Sequence, residues 1–409
     1  MNISRIGLFG FGCVGQGLYD VLHKTKGIKA EIAKICVKNP NKERSIPQHF
    51  FTYDKDEILN DPDIDVIVEL IDDADAALDI VSTALKNCKA VVSANKKMIA
   101  ENMEYLFNLQ QECGKPLLYE GAVCGSIPII RNIEEYYDNE FVDSVEGIFN
   151  GSTNYILTKI FDENKSFEDA LKEAQDNGFA ESDPTLDIGG FDPKFKLSIL
   201  LTHTYGVFVN PKDVLNFGID HISDFDIQYA REKGYRIKLL AKSKKVGNEV
   251  FAIVAPQFVD KSSPLRNIEN EYNAVIVKGL FSEYQIFVGK GAGSLPTGSA
   301  VLSDISTLIH DYKYEYKKFM QSLELEYSQE ALLEVYVSFK NKDLINQEDF
   351  ESINESFISN GNNYIIGQIR FEKLRESNWL RHEDVNVILT PDSDFQKSPL
   401  PQKEAVFQN

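Results

Sequence analysis

Arg5-Ile-Gly-Leu-Phe-Gly-Phe-Gly-Cys-Val-Gly-Gln-Gly-Leu-Tyr-Asp-Val-Leu-His23 places a short apolar strand, a glycine turn and a helical pattern in direct succession. Gly10 permits the tight turn, Gly12 lets the backbone approach a pyrophosphate, and Gly15 lets the helix pack closely on the sheet. With Phe11, Cys13 and Val14 between them, these residues aim a helix N-terminus at a phosphate. A glycine turn without a ligand is the competing reading. The position between strand and helix at the start of a chain favours a dinucleotide.

Strands continue at βαβ spacing over 31–37, 65–71, 90–93 and 116–119, with helical patterns over 76–87 and 102–113 between them. That alternation predicts an α/β fold with a Rossmann-type doubly wound parallel sheet, whose functional residues sit at the C-terminal strand ends. Ser93-Ala-Asn95-Lys96 and Glu120-Gly-Ala-Val-Cys-Gly-Ser-Ile-Pro128 occupy such ends. The second strand ends in Val37-Lys38-Asn39, with no acid to bind a bare ribose 2'-hydroxyl and with Lys42 and Arg44 close by. A 2'-phosphate is better accommodated there than refused, so NADP(H) is expected to be preferred, with NAD(H) as the alternative.

A length of 409 residues predicts two or three domains, and a formal net charge of −20 argues against nucleic acid and anionic membrane surfaces. Five cysteines without framework spacing and no apolar run long enough to span a bilayer point to the cytoplasm. After Pro128 the alternation gives way to a mixed region. A strand is expected over 141–149, helices over 155–162, 167–177 and 193–205, and strands again within 234–285.

Within that region, Gly178-Phe-Ala-Glu-Ser-Asp-Pro-Thr-Leu-Asp-Ile-Gly-Gly-Phe-Asp-Pro-Lys-Phe-Lys196 concentrates four carboxylates and two lysines around glycines and prolines. Glu181, Asp183, Asp187 and Asp192 can hold a cation or an amino-acid ammonium, and Lys196 can donate a proton or orient a carboxyl or carbonyl group. Asp192-Pro193 fits the N-cap and first position of a helix. Lys196 then stands at i+4 from Asp192, where the two side chains reach a common point. A solvated acidic loop with a capping aspartate is the alternative for this segment alone.

Taken together, Gly10 to Gly15, Ser93 to Lys96, Tyr119 to Ile130, Gly147-Ile-Phe-Asn150-Gly151-Ser152-Thr-Asn-Tyr-Ile-Leu157, the acidic segment and Gly291-Ala-Gly-Ser-Leu-Pro-Thr-Gly-Ser-Ala-Val-Leu-Ser-Asp304 resemble homoserine dehydrogenases. The resemblance runs from about residue 5 to about residue 316. It implies NAD(P)-dependent reversible reduction of L-aspartate 4-semialdehyde to L-homoserine, toward threonine and methionine, by a homodimer or homotetramer. Residue by residue, it places the substrate ammonium near Glu181 and Asp187, and the reactive end near Asp192, Lys196 and Lys96. Asn150, Gly151 and Ser152 match the substrate-contacting turn, and Ser93, Asn95 and Lys96 the cofactor cleft. The family's monovalent cation, sodium, falls on Glu120 and the carbonyls of Val123, Gly125 and Ile127.

The implied division is 1–130 with about 292–320 for the dinucleotide, 131–291 for substrate and dimerisation, and 324–409 for a small α+β domain. In that last part strands are expected over 331–339, 363–371 and 385–389 and a helix over 348–358, a reduced ACT-like layout without the Asp-x-Pro-Gly ligand turn. The tail from Asp392, with Pro399 and Pro401, is expected to be poorly ordered. Three departures from the family pattern stand out: Asp72-Asp73-Ala-Asp75 for two glycines and a proline, Cys124 and Ser126 for glycines, and Phe179 for a tyrosine. Two other classes compete with the dehydrogenase: phosphate-dependent semialdehyde chemistry on a Cys124 thiolate, which needs a histidine base, and a nucleotide sensor without turnover.

Overall fold

A computed structural model describes residues 4–139, 141–321 and 324–397. The N-terminal apolar runs pair in parallel as β1 (Ser4–Phe9), β2 (Ala30–Cys36), β3 (Phe51–Thr52), β4 (Val66–Glu69), β5 (Ala90–Ser93) and β6 (Leu117–Leu118), in the order β3-β2-β1-β4-β5-β6. The chain builds outward from β1 to one side and then to the other. A crevice therefore opens between β1 and β4 at the C-terminal strand ends. The intervening helices are α1 (Cys13–Lys24), α2 (Asp56–Leu59), α3 (Ala74–Lys86), α4 (Lys96–Glu101) and α5 (Met103–Cys113). Ile6, Leu8, Val66 and Val68 share a core with Leu18 and Leu22 of α1, while Ile67 and Val91 face Val81 and Leu85 of α3. Burial on both faces explains why these strands read as continuous apolar runs.

The second lobe carries β7 (Val142–Ile148), β8 (Leu215–Asn216), β9 (Arg236–Val246), β10 (Glu249–Val259), β11 (Tyr272–Gly279) and β12 (Tyr284–Lys290). Its helices are α6 (Ile129–Arg131), α7 (Gly151–Glu163), α8 (Phe167–Asp176), α9 (Thr185–Ile188), α10 (Phe191–Tyr205) and α11 (Asp224–Glu232). Antiparallel pairing gives β12-β11-β7-β9-β10, and α7 and α10 pack on this sheet through one apolar core. The chain then returns: α12 (Ser294–Leu308) lies against α1, and its Val301, Leu302 and Ile305 complete the core of the first lobe. Where the lobes meet, a buried polar chain joins three segments. His203 Nδ1 stands 2.5 Å from Glu134 Oε1 and its Nε2 2.9 Å from the Tyr119 hydroxyl, which lies 2.9 Å from that of Tyr316. Burial raises the Glu134 carboxyl, but His203 and two backbone amides outweigh it and hold the group below its ordinary value.

The remaining strands are β13 (Glu326–Tyr327), β14 (Ala331–Phe339), β15 (Phe350–Phe357), β16 (Asn363–Arg370), β17 (Val385–Leu389) and β18 (Gln396–Lys397), with α13 (Phe371–Glu376) before β17. They extend the second sheet as β10-β17-β14-β16-β15. The helix expected over 348–358 is instead the edge strand β15, antiparallel to β16 with register shifts at Phe350/Ser352 and Ile353/Glu355. Ile353 and Phe357 imitate a helical i, i+4 pair, yet both are exposed, and pairing with β16 decides the conformation. The resulting β-β-β-α-β order lacks one helix of the ACT-like layout. The tail expected from Asp392 is structured through Lys397: Phe395 is buried against Phe251 and Phe371, and β18 pairs with β14. Pro399 and Pro401 lie outside the described residues.

Candidate active site

Asp192, on the first turn of α10, gathers the chemistry at the mouth of the crevice. Its Oδ2 accepts from Lys196 Nζ at 2.7 Å and from Asn150 Nδ2 at 2.9 Å, while Oδ1 pairs with Lys96 Nζ at 2.6 Å. Lys196 also donates to the Phe149 carbonyl at 2.6 Å, and Asn150 Nδ2 reaches Asp187 Oδ1 at 2.7 Å. The i+4 spacing predicted the Asp192–Lys196 pair. The cap assignment does not hold: Gly190, in the left-handed region at φ 77°, precedes the helix, and Asp192 lies inside its first turn. Its carboxylate is engaged by the two lysines and Asn150 instead of by its own backbone. Asn150 caps α7 through Oδ1, which accepts from Thr153 N at 2.8 Å, and so presents its amide nitrogen to both aspartates. Lys96 arrives from the other lobe as the first residue of α4, whose N-cap is the Asn95 side chain.

The charges in this cluster are unequal. Burial pushes the Asp192 carboxyl up, but the Lys196 and Lys96 ammoniums outweigh it and hold the group well below the usual carboxylate range. Asp192 in turn raises Lys96 against the cost of burial, with Asp187 and Glu181 adding to the effect. Asp187 is raised by burial and by Asp192, against the Asn150 amide and both lysines. A positive ligand group beside Asp187 would reverse that shift. Glu181 is exposed and joins the cluster only through its field on Lys96. Asp183 belongs elsewhere: it accepts from the Thr185 amide and hydroxyl of its own turn. Ser152 donates to the Phe179 carbonyl at 2.5 Å, so its hydroxyl proton is taken, and Gly151 opens α7 beside it.

The phosphate turn has the backbone its glycines require. Gly10 adopts φ 91°, and a Cβ there would stand 2.5 Å from the Leu70 carbonyl oxygen; at Gly12 nothing lies within 4 Å, which leaves room for a pyrophosphate. No side chain caps α1, so its first amides face the crevice. Phe11 is buried in the core, Cys13 is exposed with its carbonyl held by the Ser294 hydroxyl at 2.8 Å, and Val14 is half-buried. The side chains of Ser93 and Asn95 are committed to the protein. Ser93 Oγ donates to Glu69 Oε2 at 2.5 Å, and Asn95 donates to the Ile71 carbonyl at 3.0 Å while capping α4.

Residues 10–120 match the family model described as "Homoserine dehydrogenase, NAD binding domain", and residues 128–306 the one described as "Homoserine dehydrogenase". A homoserine dehydrogenase of Bacillus subtilis (strain 168) is 35% identical over 351 residues, 81% of this chain and 81% of its own. The chain belongs to the homoserine dehydrogenase family. A homoserine dehydrogenase crystal structure from Thiobacillus denitrificans superposes with a TM-score of 0.83 at 28% identity, covering 95% of this chain and 98% of that one. A hyperthermophilic archaeal homoserine dehydrogenase in complex with NADPH does so with a TM-score of 0.66 at 25% identity, over 77% and 99%. The reaction is the NAD(P)-dependent interconversion of L-aspartate 4-semialdehyde and L-homoserine.

Departures from the homoserine dehydrogenase pattern have local explanations. Asp73 caps α3, accepting from Ala76 N at 3.0 Å, and pairs at 3.5 Å with Lys38, so its charge has partners of its own. Cys124 is buried, and burial pushes its thiol up to about 11, with Asp192 and Glu120 adding to the rise against Lys196 and Asn273. That environment suppresses the thiolate required by the competing semialdehyde chemistry. In the following loop the Glu120 carboxylate accepts from Ile130 N at 2.8 Å and Arg131 N at 3.0 Å, capping α6 from a distance. The carbonyls of Val123 and Gly125 accept no hydrogen bond among the described residues, and Ile127 accepts one from Ile129 N at 2.8 Å. Carbonyl oxygens are the donor type that a hard monovalent cation takes, while the Glu120 carboxylate is already shared by the two helix amides and by Arg131 Nε at 3.4 Å. Asp304, which the sequence reading left without a role, accepts from Glu120 N at 2.9 Å and faces Arg131.

Proposed function

We propose that Asp192 holds Lys196 and Lys96 on either side of the reacting carbonyl, with Lys196 as proton donor and Lys96 as the charge that stabilises the developing alkoxide. The observation that carries this reading is the pairing of both ammoniums with one buried carboxylate, one from each lobe. An ammonium has three donors. Lys196 spends two, on Asp192 and on the Phe149 carbonyl, which leaves one for a substrate oxygen. Lys96 spends one and is partly exposed toward the crevice. The nicotinamide supplies the hydride when bound. Gly10, Gly12, Gly15 and the amides of α1 hold its pyrophosphate. Asp187 receives the substrate ammonium, Asn150 and Gly151 border it, and Glu181 adds field from the rim. A monovalent cation on Val123, Gly125, Ile127 and Glu120 would brace the loop below.

Replacing Asp187 by Asn tests the ammonium site. Losing one charge-assisted bond costs about 1.5–3 kcal/mol, so the homoserine KM should rise roughly 10- to 100-fold with kcat less affected. Glu181→Gln should raise KM by no more than about fivefold, because an exposed charge is worth about 1 kcal/mol or less. Steady-state kinetics with saturating cofactor reads both, and an unchanged KM in Asp187→Asn would remove Asp187 from ammonium binding.

We further propose NADP(H) over NAD(H). The support is cationic: Lys38 stands at the end of β2, and Arg44 is fixed by the Asn39 carbonyl at 3.0 Å and by the Phe51 ring at 5.5 Å. Lys38 is itself 86% exposed and faces Asp73, so Lys38→Ala should weaken NADPH only by about fivefold, with NADH unchanged. Adding Arg44→Ala should deepen the loss. Equal weakening of both cofactors in kcat/KM would remove the pair from 2'-phosphate recognition. The three-part division at about residues 130, 291 and 324 accompanies this reading. A homodimer or homotetramer is supported by the edge strand β12, which has no second strand partner among the described residues and exposes Tyr284, Ile286 and Val288. All five cysteines are free, which supports a cytoplasmic setting.

A further inference from the structure

The geometry points to Glu69 as a positioning residue that holds Lys96 in register with Asp192, although it touches neither the substrate nor Lys96 itself. The inference rests on the placement of Lys96 at the reacting centre. Glu69 is the last residue of β4 and is wholly buried at the floor of the crevice. Its Oε1 accepts from Ile71 N at 2.7 Å and its Oε2 from Ser93 Oγ at 2.5 Å, and its carbonyl accepts from Ala94 N at 3.3 Å. One side chain therefore ties the loop after β4 to the loop after β5.

The tie continues toward the chemistry. Ser93 Oγ accepts from Asn95 N at 3.1 Å, Asn95 Nδ2 donates back to the Ile71 carbonyl at 3.0 Å, and Asn95 Oδ1 caps α4 through Met98 N at 3.0 Å. Lys96 is the next residue, and its Nζ crosses to Asp192 Oδ1 at 2.6 Å. On the other side, the Leu70 carbonyl and the Ile71 side chain are what Gly10 closes against in the phosphate turn. A carboxyl in this place is expensive. Burial pushes it up to about 7, with Asp72 adding to the rise, while the Ser93 hydroxyl and the Ile71 amide oppose it. An apolar residue would fill the space without that cost but could not join the two loops.

A double-mutant cycle separates positioning from bulk stability. Glu69→Ala should lower kcat about 10- to 100-fold, as expected for a displaced reacting group, and leave the homoserine KM within about twofold, because Asp187 and Asn150 lie in the other lobe. Glu69→Gln, which keeps the shape and the Ile71 bond through Oε1 and can hold Ser93 only with that bond reversed, Nε2 donating to Oγ, should recover kcat to within about threefold of the wild type. In a Lys96→Ala background, Glu69→Ala should cost less than about twofold more. If Glu69→Ala folds poorly, Ser93→Ala cuts the same tie from the other end and completes the cycle. Losses that multiply independently of Lys96 would overturn the role of Glu69 alone. Wild-type kcat in Lys96→Ala would overturn the assignment of Lys96 and the role of Glu69 with it.

Discussion

Lys196→Ala should lower kcat by about 10²–10⁴-fold, the usual contribution of a general acid or base, while cofactor affinity stays near that of the wild type. The separation follows from position. Lys196 Nζ lies between Asp192 and the Phe149 carbonyl, in the lobe that carries no phosphate turn, and the proposed mechanism uses its remaining donor on the substrate. Truncation also leaves Asp192 with only Lys96 to balance it, so the remaining ammonium should be held still more firmly charged. Nicotinamide fluorescence titration reads affinity, and initial rates in both directions read turnover. A variant within a few-fold of wild-type kcat would remove Lys196 from the proton path.

Asp192→Asn should cost about 3–5 kcal/mol of stability as well as most of the activity, because it leaves a buried ammonium without its counter-charge. An amide cannot repair the site. One face of the carboxylate receives Lys96 and the other receives Lys196 and Asn150, so either rotamer sets a donor against a donor. The pH dependence has a definite sign. The folded-state value of Asp192 is depressed, so its contribution is fully present above its unfolded value of about 3.9 and is lost as pH falls through the folded value. Wild type and variant should therefore differ most in chemical denaturation at neutral pH and converge in strong acid. An equal difference at all pH values would assign the loss to packing instead of charge.

How much of this was legible beforehand depends on whether the cause is local. The tight turn at Gly10 is a local backbone requirement, so the residues alone revealed it; Gly15 is needed inside the same turn, where a Cβ would stand 2.5 Å from the Gly10 carbonyl oxygen, and not against the sheet as expected. The Asp192–Lys196 pair was legible because i+4 spacing on one helix brings side chains together. Lys96 and Asn150 come from two other elements, and no spacing could bring them to Asp192; the family resemblance did. Proline at 193 signalled a helix start correctly within two residues, but Gly190 in the left-handed region provides the actual entry, so the cap was misplaced. At 350–357 the local pattern was overridden by pairing with β16, whose own strand reading held. Glu69 was hidden because its partners, the Ser93 hydroxyl and the Ile71 amide, depend on strand order.

The account turns on hydride transfer at a lysine–aspartate centre that uses no thiol and no phosphate. Its most direct test is homoserine-dependent formation of reduced nicotinamide, followed by absorbance in phosphate-free buffer, for the wild type, Cys124→Ala and Lys196→Ala. The account predicts turnover in the wild type, a rate within a few-fold of it in Cys124→Ala, and a collapse in Lys196→Ala. No homoserine-dependent turnover in the wild type, or turnover that disappears in Cys124→Ala while surviving in Lys196→Ala, would contradict it.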